Sequence, residues 1–351
     1  MCIQKLEALT YDSSFVKLHQ SRSHSQLFIM MYKDSSIQVY TPKYEFQGGE
    51  ALYKVTIPWS RVVILKPING LFSFIDILNG LSCVYNLGTR QVIPWVSIPV
   101  PPKTGSLVTA IPTYGFGFDP STGKHKILCI WDISRFGGKV EHIVQVFTLG
   151  ENEWRRIDEL PPVKPFREEV YANGSIYRRN CGHKFCQPPD VEVILAFDVG
   201  TEKFRVIQIP DVIFSSHRNP EVSGRAEYLL EVDGHIALID RLDKNVVKLW
   251  RSYDDYRLKT EVTWLGQTFI LHLECSIREL FYFHVVQGTR QIIIKPWEAR
   301  DFVTLYIYDI DTNTFRDIKI SDLSPSFIYG MFTTPETLLP VQKIKKFDGA
   351  S

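Results

Sequence analysis

The chain contains 351 residues, of which 44% are hydrophobic, 23% charged and 13% aromatic. These fractions lie near the averages of globular proteins and exclude a disordered tail protein, a collagen and a coiled coil. The 40 basic residues balance 39 acidic ones. We therefore expect neither a general nucleic-acid binder nor a protein that adheres to anionic membranes, because both need net positive charge.

The N-terminal part of the sequence predicts one short helix. Apolar residues follow an N-cap candidate at Asp12 or Ser13, which favours a helix over Ser13–Ser23. Charged residues interrupt positions 1–26, and no uninterrupted run of about 18 apolar residues occurs in the chain. We expect no signal peptide, no membrane span and a location in the cytoplasm or the nucleus.

Short strands dominate the rest of the chain. They are rich in β-branched and aromatic residues and are bounded by Gly, Pro, Asn or Asp, as strands and hairpins are. The predicted strands are Leu27–Tyr32, Ile37–Tyr40, Val62–Leu65, Ile127–Trp131, Ile143–Leu149, Val191–Phe197, Ala226–Val232 and Phe302–Tyr308. The composition of Asp119–Gly123 predicts a β-turn, and the sequon at Asn173–Ser175 is interpreted as a turn.

A repeated segment is the most informative feature of the sequence. Val146–Ile157, Ala196–Ile207 and Ile307–Ile318 align without a gap. Each has an aromatic residue at its second position, polar turn residues in the middle, and an aromatic-Arg pair followed by a closing isoleucine. The pattern predicts two strands joined by a tight turn. Val84–Arg90 is a weaker copy, and Leu249–Tyr256 lies where a further copy is expected.

The spacing of the copies indicates the architecture. From Tyr85 to Phe147 is 62 residues, from Phe147 to Phe197 is 50, and from Phe197 to Tyr308 is 111, about two units. Units of 50–60 residues with several strands match propeller blades. We predict one all-β propeller-like domain of about six blades, in which the strands of Leu27–Ile57 add a blade or pair with the C-terminal strand. Two β-sandwiches with similar hairpins are the alternative.

Five segments carry motifs that occur together in one protein family. Asn86–Arg90 reads Asn-Leu-Gly-Thr-Arg, Gly115–Leu128 begins Gly-Phe-Gly-Phe-Asp, and Tyr171–Tyr177 contains Ala-Asn-Gly-Ser-Ile-Tyr. Ile194–Phe204 combines Phe-Asp with Glu-Lys-Phe, and Asp12–Ser23 begins Asp-Ser-Ser-Phe and contains a histidine. In this order they resemble plant F-box proteins that carry an F-box-associated interaction domain. Asp12–Ser23 corresponds to the segment that follows the F-box.

The resemblance implies a kelch-like propeller that acts as a substrate receptor, with no catalytic activity and no cofactor. In the family, the F-box recruits the Skp-type adaptor of a cullin ubiquitin ligase, and the β domain binds a target protein. We expect an F-box remnant and linker helix at residues 1–25, the interaction domain at 26–341 and a polar tail at 342–351. No nucleic acid or membrane partner is expected.

Three departures from the family pattern keep a second function open. Most of the F-box is absent before Met1, Leu87 stands where the family favours Pro, and Arg178 stands where it favours Trp. The alternative is therefore a protein-binding module that acts without the ligase. A propeller hydrolase or lectin would need converging carboxylates or histidines, and none of the common catalytic motifs occurs in the sequence.

The candidate ligand-binding residues are few. Cys181, His183 and Cys186 could supply three zinc ligands, with His142 or His217 as a fourth, but a surface loop is the favoured interpretation. No metal site is therefore predicted. Cys2, Cys83, Cys129 and Cys275 are expected to be buried free thiols. Four aromatic residues are candidates for exposed loop positions that anchor a partner protein: Tyr114, Phe136, Phe185 and Trp297.

Overall fold

A computed structural model describes most of the chain between Ser25 and Leu338. The described residues are 25–33, 36–40, 62–101, 108–135, 141–151, 153–165, 169–180, 192–213, 228–243, 246–253, 262–271, 281–296, 303–320, 328–335 and 337–338. All regular structure in these ranges is β-strand. The predicted helix over Ser13–Ser23 and the tail at 342–351 lie outside them, and the predicted segment boundaries stay predictions.

The described residues form 24 strands. In chain order they are β1 (Ser25–Lys33), β2 (Ser36–Tyr40), β3 (Val62–Ile68), β4 (Leu71–Asp76), β5 (Leu81–Asn86), β6 (Gln91–Val92), β7 (Val96–Ser97), β8 (Val108–Asp119), β9 (Lys124–Arg135), β10 (Glu141–Thr148), β11 (Glu153–Ile157), β12 (Val170–Ala172), β13 (Ser175–Arg179), β14 (Val193–Asp198), β15 (Lys203–Gln208), β16 (Tyr228–Val232), β17 (His235–Arg241), β18 (Val246–Tyr253), β19 (Thr263–Ile270), β20 (Phe281–Val285), β21 (Gln291–Pro296), β22 (Val303–Asp309), β23 (Thr314–Ile320) and β24 (Ile328–Pro335). Each predicted strand coincides with one of them, to within a few residues at its ends.

The strands are arranged in six sheets. Sheet 1 contains β3–β7, sheet 2 β8–β11, sheet 3 β12–β15, sheet 4 β16–β19 and sheet 5 β20–β23, all with antiparallel neighbours. Sheets 2 to 5 follow chain order, whereas in sheet 1 both β6 and β7 pair with β5. The sixth sheet, which we call the terminal sheet, has the order β2-β1-β24. The prediction of an all-β fold with about six blade-like sheets is confirmed. The early strands pair with the C-terminal strand, which is one of the two arrangements expected from the sequence.

The three aligned copies of the repeat are hairpins with the same register. They are β10–β11, β14–β15 and β22–β23, and in each the aromatic residue of the first strand lies directly opposite that of the second. The ring centroids of the pairs are 4.8–5.5 Å apart, a distance at which aromatic rings attract one another. The three pairs are Phe147–Trp154, Phe197–Phe204 and Tyr308–Phe315.

Sheet 4 carries the expected further copy in a modified form. β18 contains most of Leu249–Tyr256, but the position of the aromatic pair is taken by Ser252 opposite Trp264 of β19. The connection to β19 is longer than the tight turns of the other copies. A strand therefore lies where the further copy is expected, without the aromatic pair of the other three copies.

Two kinds of tight turn connect the strands. Asn69-Gly70, Asn173-Gly174 and Asp233-Gly234 join the first two strands of sheets 1, 3 and 4, and both residues of each pair have positive φ. Two successive positive φ angles are typical of type I′ hairpin turns, which suit the twist of the strands. The second kind is closed by an aspartate or asparagine at the end of a strand, whose side chain accepts backbone N–H groups two or three residues later. The residues of this kind are Asp76, Asn86, Asp119, Asp198 and Asp309.

The sheets belong to two compact units, which we describe separately. In the first unit, sheet 1 packs against sheet 2 through β3 and β8. In the second unit, sheets 3, 4 and 5 and most of the terminal sheet share apolar contacts, with β12 against β16 and β16 against β20. Among the described residues, its core includes three clusters of buried aliphatic and aromatic residues, each formed by two neighbouring sheets. Burial of this apolar surface is the main stabilising contribution in each unit.

Candidate protein-binding surface

Tyr114 is the one predicted partner-binding residue that lies among the described positions. It belongs to β8, opposite Cys129 of β9, and only 8% of its surface is exposed. Burial raises the pKa of its hydroxyl, and the adjacent Cys129 raises it further. The expectation that Tyr114 is an exposed loop residue is wrong, because this strand position faces the core of the first unit.

The other three predicted anchors lie outside the described residues. Phe136 falls between β9 and β10, Phe185 between β13 and β14, and Trp297 between β21 and β22. All three therefore follow the second strand of their own sheet in the sequence. Their role in partner binding stays a prediction.

The zinc candidates also lie outside the described residues. Cys181, His183, Cys186 and His217 fall in undescribed segments, while Nδ1 of His142 is 2.9 Å from Oδ1 of Asp132. Within the ranges given above, no group of three His, Cys, Asp or Glu side chains could hold a metal ion. In the same ranges, no helix is long and apolar enough to cross a membrane.

Cys83 and Cys129 are buried and are not joined in a disulfide, which confirms the prediction for these two thiols. Cys2 and Cys275 lie outside the described residues. Burial raises the pKa of Cys83 to about 12. Because the thiolate is the reactive form of cysteine, this thiol is unreactive at neutral pH.

A turn of sheet 1 exposes two aliphatic side chains that the sequence analysis did not single out. Residues 77–80 join β4 to β5 and form what we call the open turn. Ile77 is 45% exposed and Leu78 is 63% exposed. The side chain of the preceding Asp76, itself 1% exposed, accepts hydrogen bonds from the backbone N–H groups of Leu78 (3.0 Å) and Asn79 (3.1 Å). A buried carboxylate thus fixes a turn that presents aliphatic groups to solvent.

A third exposed aliphatic residue lies beside the open turn. The N–H of Ile98 donates to the carbonyl of Gly80 over 2.8 Å, which holds the segment after β7 against the turn. Val100 is 52% exposed, and its Cγ2 lies 3.7 Å from the position that a Cβ would occupy on Gly80. Ile77, Leu78 and Val100 together form what we call the apolar edge of sheet 1.

At the opposite end of β5, a turn with the same capping is covered. Asn86 Oδ1 accepts the N–H groups of Gly88 (2.8 Å) and Thr89 (3.1 Å), so residues 87–90 form what we call the covered turn. The amide of Asn86 donates to the carbonyl of Thr337 over 3.1 Å. Leu87, the aliphatic residue of this turn, is only 3% exposed. Thr334, Pro335 and Thr337, which we call the C-terminal strap, therefore lie against this turn and against Gly70.

A buried ion pair accounts for one departure from the family pattern. Nη2 of Arg178 in β13 donates to Oε2 of Glu169 over 2.8 Å, and the side chains are 3% and 10% exposed. A buried guanidinium needs a charged partner, because its loss of hydration is otherwise uncompensated. Glu169 provides this partner for Arg178, which stands where the resemblance favours an uncharged Trp.

The sheet order defines the class of protein. Five sheets each contain a meander of four strands, and a sixth sheet combines the first and last described strands. This is the organisation of β-propeller domains. A family model described as "F-box associated beta propeller domain" matches residues 18–338. The chain belongs to this family, which confirms both the resemblance and the propeller fold.

Proteins of Arabidopsis thaliana that are similar to this chain are named as F-box proteins. The putative F-box protein At4g38870 is 27% identical over 328 residues, which are 88% of this chain and 71% of the relative. The putative F-box protein At3g10240 is 26% identical over 345 residues, 91% of this chain and 79% of the relative. F-box/LRR-repeat protein At2g40920 is 26% identical over 285 residues, 72% of this chain. The chain spans 61% of the length of this last relative.

Proposed function

We propose that the chain is the target-recognition part of a Skp-cullin-F-box type ubiquitin ligase and binds target proteins through its β domain. Family membership over residues 18–338 carries the proposal, because proteins similar to this chain are named as F-box proteins. In such proteins the F-box recruits the Skp-type adaptor, and the associated domain is left to bind the target. The chain itself performs no catalysis in this function.

The rigid turns of the sheets support a binding role. Specific protein interfaces gain affinity from apolar side chains that are already held in place, since less conformational freedom is then lost on association. The apolar edge meets this condition, because Asp76 fixes the backbone from which Ile77 and Leu78 project. A function in the cytoplasm or nucleus agrees with this proposal, and imaging of a fluorescent fusion in plant cells checks it.

The decisive experiment measures target lifetime. Proteins that co-purify with the tagged chain from plant cells are identified, and their half-lives are compared in cells that lack or overproduce the chain. We expect the Skp-type adaptor and a cullin among the partners, and at least one partner whose half-life shortens when the chain is abundant. If partners bind but neither the adaptor nor any change in half-life is found, the ligase function is wrong and the ligase-independent binding module is supported.

A further inference from the structure

The last strand of sheet 4 differs in charge from the last strands of sheets 2, 3 and 5. β11, β15 and β23 each carry two or three charged residues and a net positive charge, whereas β19 carries none. The nearest charged residues in the sequence, Glu261 and Glu274, lie beyond the two ends of β19. A strand at the edge of a sheet presents backbone N–H and C=O groups to which another strand can pair, and charged side chains commonly prevent such pairing. β19 lacks this protection.

β19 is also regular and exposed. All eight of its residues pair with β18 in uninterrupted register, and it has no second neighbour among the described strands. The opposite edge of sheet 4, β16, packs against β12 and β20. On β19, Leu265 and Ile270 are each 54% exposed. β2 of the terminal sheet is uncharged as well, but its Ile37 and Val39 are buried. β19 is therefore the edge best suited to pairing with another strand.

The two charged residues of the neighbouring strand do not oppose a second copy of β19. Nζ of Lys248 lies 3.8 Å from the ring centroid of Trp250, and the guanidinium carbon of Arg251 lies 5.4 Å from that of Tyr253. If two copies of β19 paired, their β18 strands would be three strand spacings apart, about 14 Å. This distance exceeds the Debye length of about 8 Å at physiological ionic strength. Repulsion between the cations of the two copies would therefore be weak.

The sequence of β19 matches a second copy of itself. Two such strands can run antiparallel about a two-fold axis that places Gln267 opposite its own counterpart. Leu265 then lies opposite Phe269 of the second copy, and Ile270 lies opposite Trp264 of the second copy. Each exposed aliphatic side chain gains an aromatic neighbour, which is a favourable cross-strand pair. The same pairing of β15, whose two charged residues are both cationic, would bring only positive charges together.

We propose that the chain forms a two-fold symmetric dimer in which β19 of one copy pairs antiparallel with β19 of a second copy. The two copies of sheet 4 then form one continuous sheet of eight strands. A strand of eight residues is about 26 Å long, and its edge alone offers less area than the roughly 2,000 Å² or more of a permanent dimer. The dimer should therefore form reversibly and depend on protein concentration.

Sedimentation velocity of the purified full-length chain over a range of concentrations tests this inference. We expect the molecular mass to rise from that of a monomer to that of a dimer. Leu265→Lys should raise the dimer dissociation constant about tenfold or more, because symmetry places the new charge in the interface twice. Leu78→Lys is the matched control, since Leu78 is 63% exposed in the open turn of sheet 1, and it should leave the dissociation constant unchanged.

Disulfide cross-linking tests the register of the two strands. Residues opposite each other in antiparallel strands have Cα atoms about 5 Å apart, which is within reach of a disulfide. Oxidation of Gln267→Cys should therefore join two copies. Leu78→Cys and the unsubstituted chain measure the background from chance collisions and from the native cysteines. Thermal melting checks that every variant is folded, since the amide of Gln267 donates to the hydroxyl of Tyr308 and to the carbonyl of Ile310.

Three results would overturn the inference. They are a monomer at every concentration, equal dissociation constants for the unsubstituted chain and folded Leu265→Lys, and no more cross-linking of folded Gln267→Cys than of Leu78→Cys. The experiments use no ligase component and measure neither adaptor binding nor target half-life, so the proposed function is judged separately.

Discussion

The two turns at the ends of β5 share a capping mechanism but differ in their surroundings. Asp76 and Asn86 each accept the backbone N–H groups two and three residues later, and an aliphatic residue follows each of them directly. At the covered turn Leu87 is 3% exposed, whereas at the open turn the equivalent Ile77 is 45% exposed and the next residue, Leu78, is 63% exposed. Local sequence therefore determines the shape of a turn, but contacts from elsewhere in the chain determine whether it is a core element or a free surface.

The largest expected difference between the turns concerns their aliphatic residues. Leu87→Ala should lower the free energy of unfolding by about 3 kcal/mol, because it removes buried apolar surface and leaves a cavity. Leu78→Ala should change it by no more than about 0.5 kcal/mol, since the side chain is already in solvent. Urea denaturation of both variants measures the difference. Equal losses would contradict the assignment of one turn to the core and the other to the surface.

Contact with the C-terminal strap should make Gly70 far less tolerant than other turn glycines. Gly70 has φ of +79°, and a Cβ there would lie 2.5 Å from Cγ2 of Thr337. Gly70→Ala combines a left-handed backbone cost of about 1 kcal/mol with overpacking of about 1–2 kcal/mol. Gly123 is the matched control, because its φ is +70° and no atom lies within 4 Å. Gly123→Ala should cost about 1 kcal/mol, and an equal loss for both variants in urea denaturation would disprove tight packing of the strap.

A buried histidine of β9 should make stability depend on pH. His125 is buried between Phe116 and Phe118, and its Nε2 has no hydrogen-bond partner. Burial lowers its pKa from 6.5 to about 3, although a hydrogen bond to the backbone of Ile68 opposes this shift.

The unfolded chain therefore binds a proton between pH 6.5 and 3 while the native state does not. In this window the free energy of unfolding should fall by about 1.4 kcal/mol for each pH unit of acidification, or about 2 kcal/mol from pH 6.5 to 5. Urea titrations at several pH values measure this slope. In the same window His125→Phe should lower the slope by about 1.4 kcal/mol for each pH unit. An unchanged slope would show that His125 is not buried as a neutral group.

The smallest expected effect isolates one hydrogen bond of the strap. Thr334→Val removes the acceptor for the N–H of Gly70 and should cost about 1 kcal/mol, the usual net value of a buried hydrogen bond. Hydrogen exchange of the Gly70 amide should become faster in this variant. Thr109→Val, at an exposed position of β8, is the control and should alter neither quantity. Unchanged protection of Gly70 would show that the strap does not hold this turn.

Much of the fold could be predicted because its signals are local. Aromatic and isoleucine residues at fixed distances around a polar turn located three hairpins, and the Asn-Gly pair at Asn173 located a further turn. These features depend on residues within about a dozen positions of one another, so a repeat in the sequence becomes a repeat in structure. The structure of sheet 4 departs from this repeat, because Ser252 stands where the other copies have the first residue of the aromatic pair.

The candidate site was predicted less well. Exposed aromatic residues were expected to anchor a partner, but Tyr114 is buried in β8, and the exposed groups of sheet 1 include aliphatic residues in a turn. Aliphatic residues after an aspartate or asparagine give the same local signal in both turns of β5. Whether such a residue is exposed depends on distant chain segments, which a local pattern does not contain.

The sequence alone determined the balanced charge and the 50–60-residue repeat. It also determined the strand hairpins, because pairing of neighbouring strands requires only local periodicity and turn residues. The tertiary structure decided which turn of sheet 1 is covered. The hydrogen bonds that cover residues 87–90 and hold Gly70 join positions 251 and 264 residues apart. Contacts across such separations form only when the chain has folded, so the local pattern that shapes a turn does not determine whether the turn is covered.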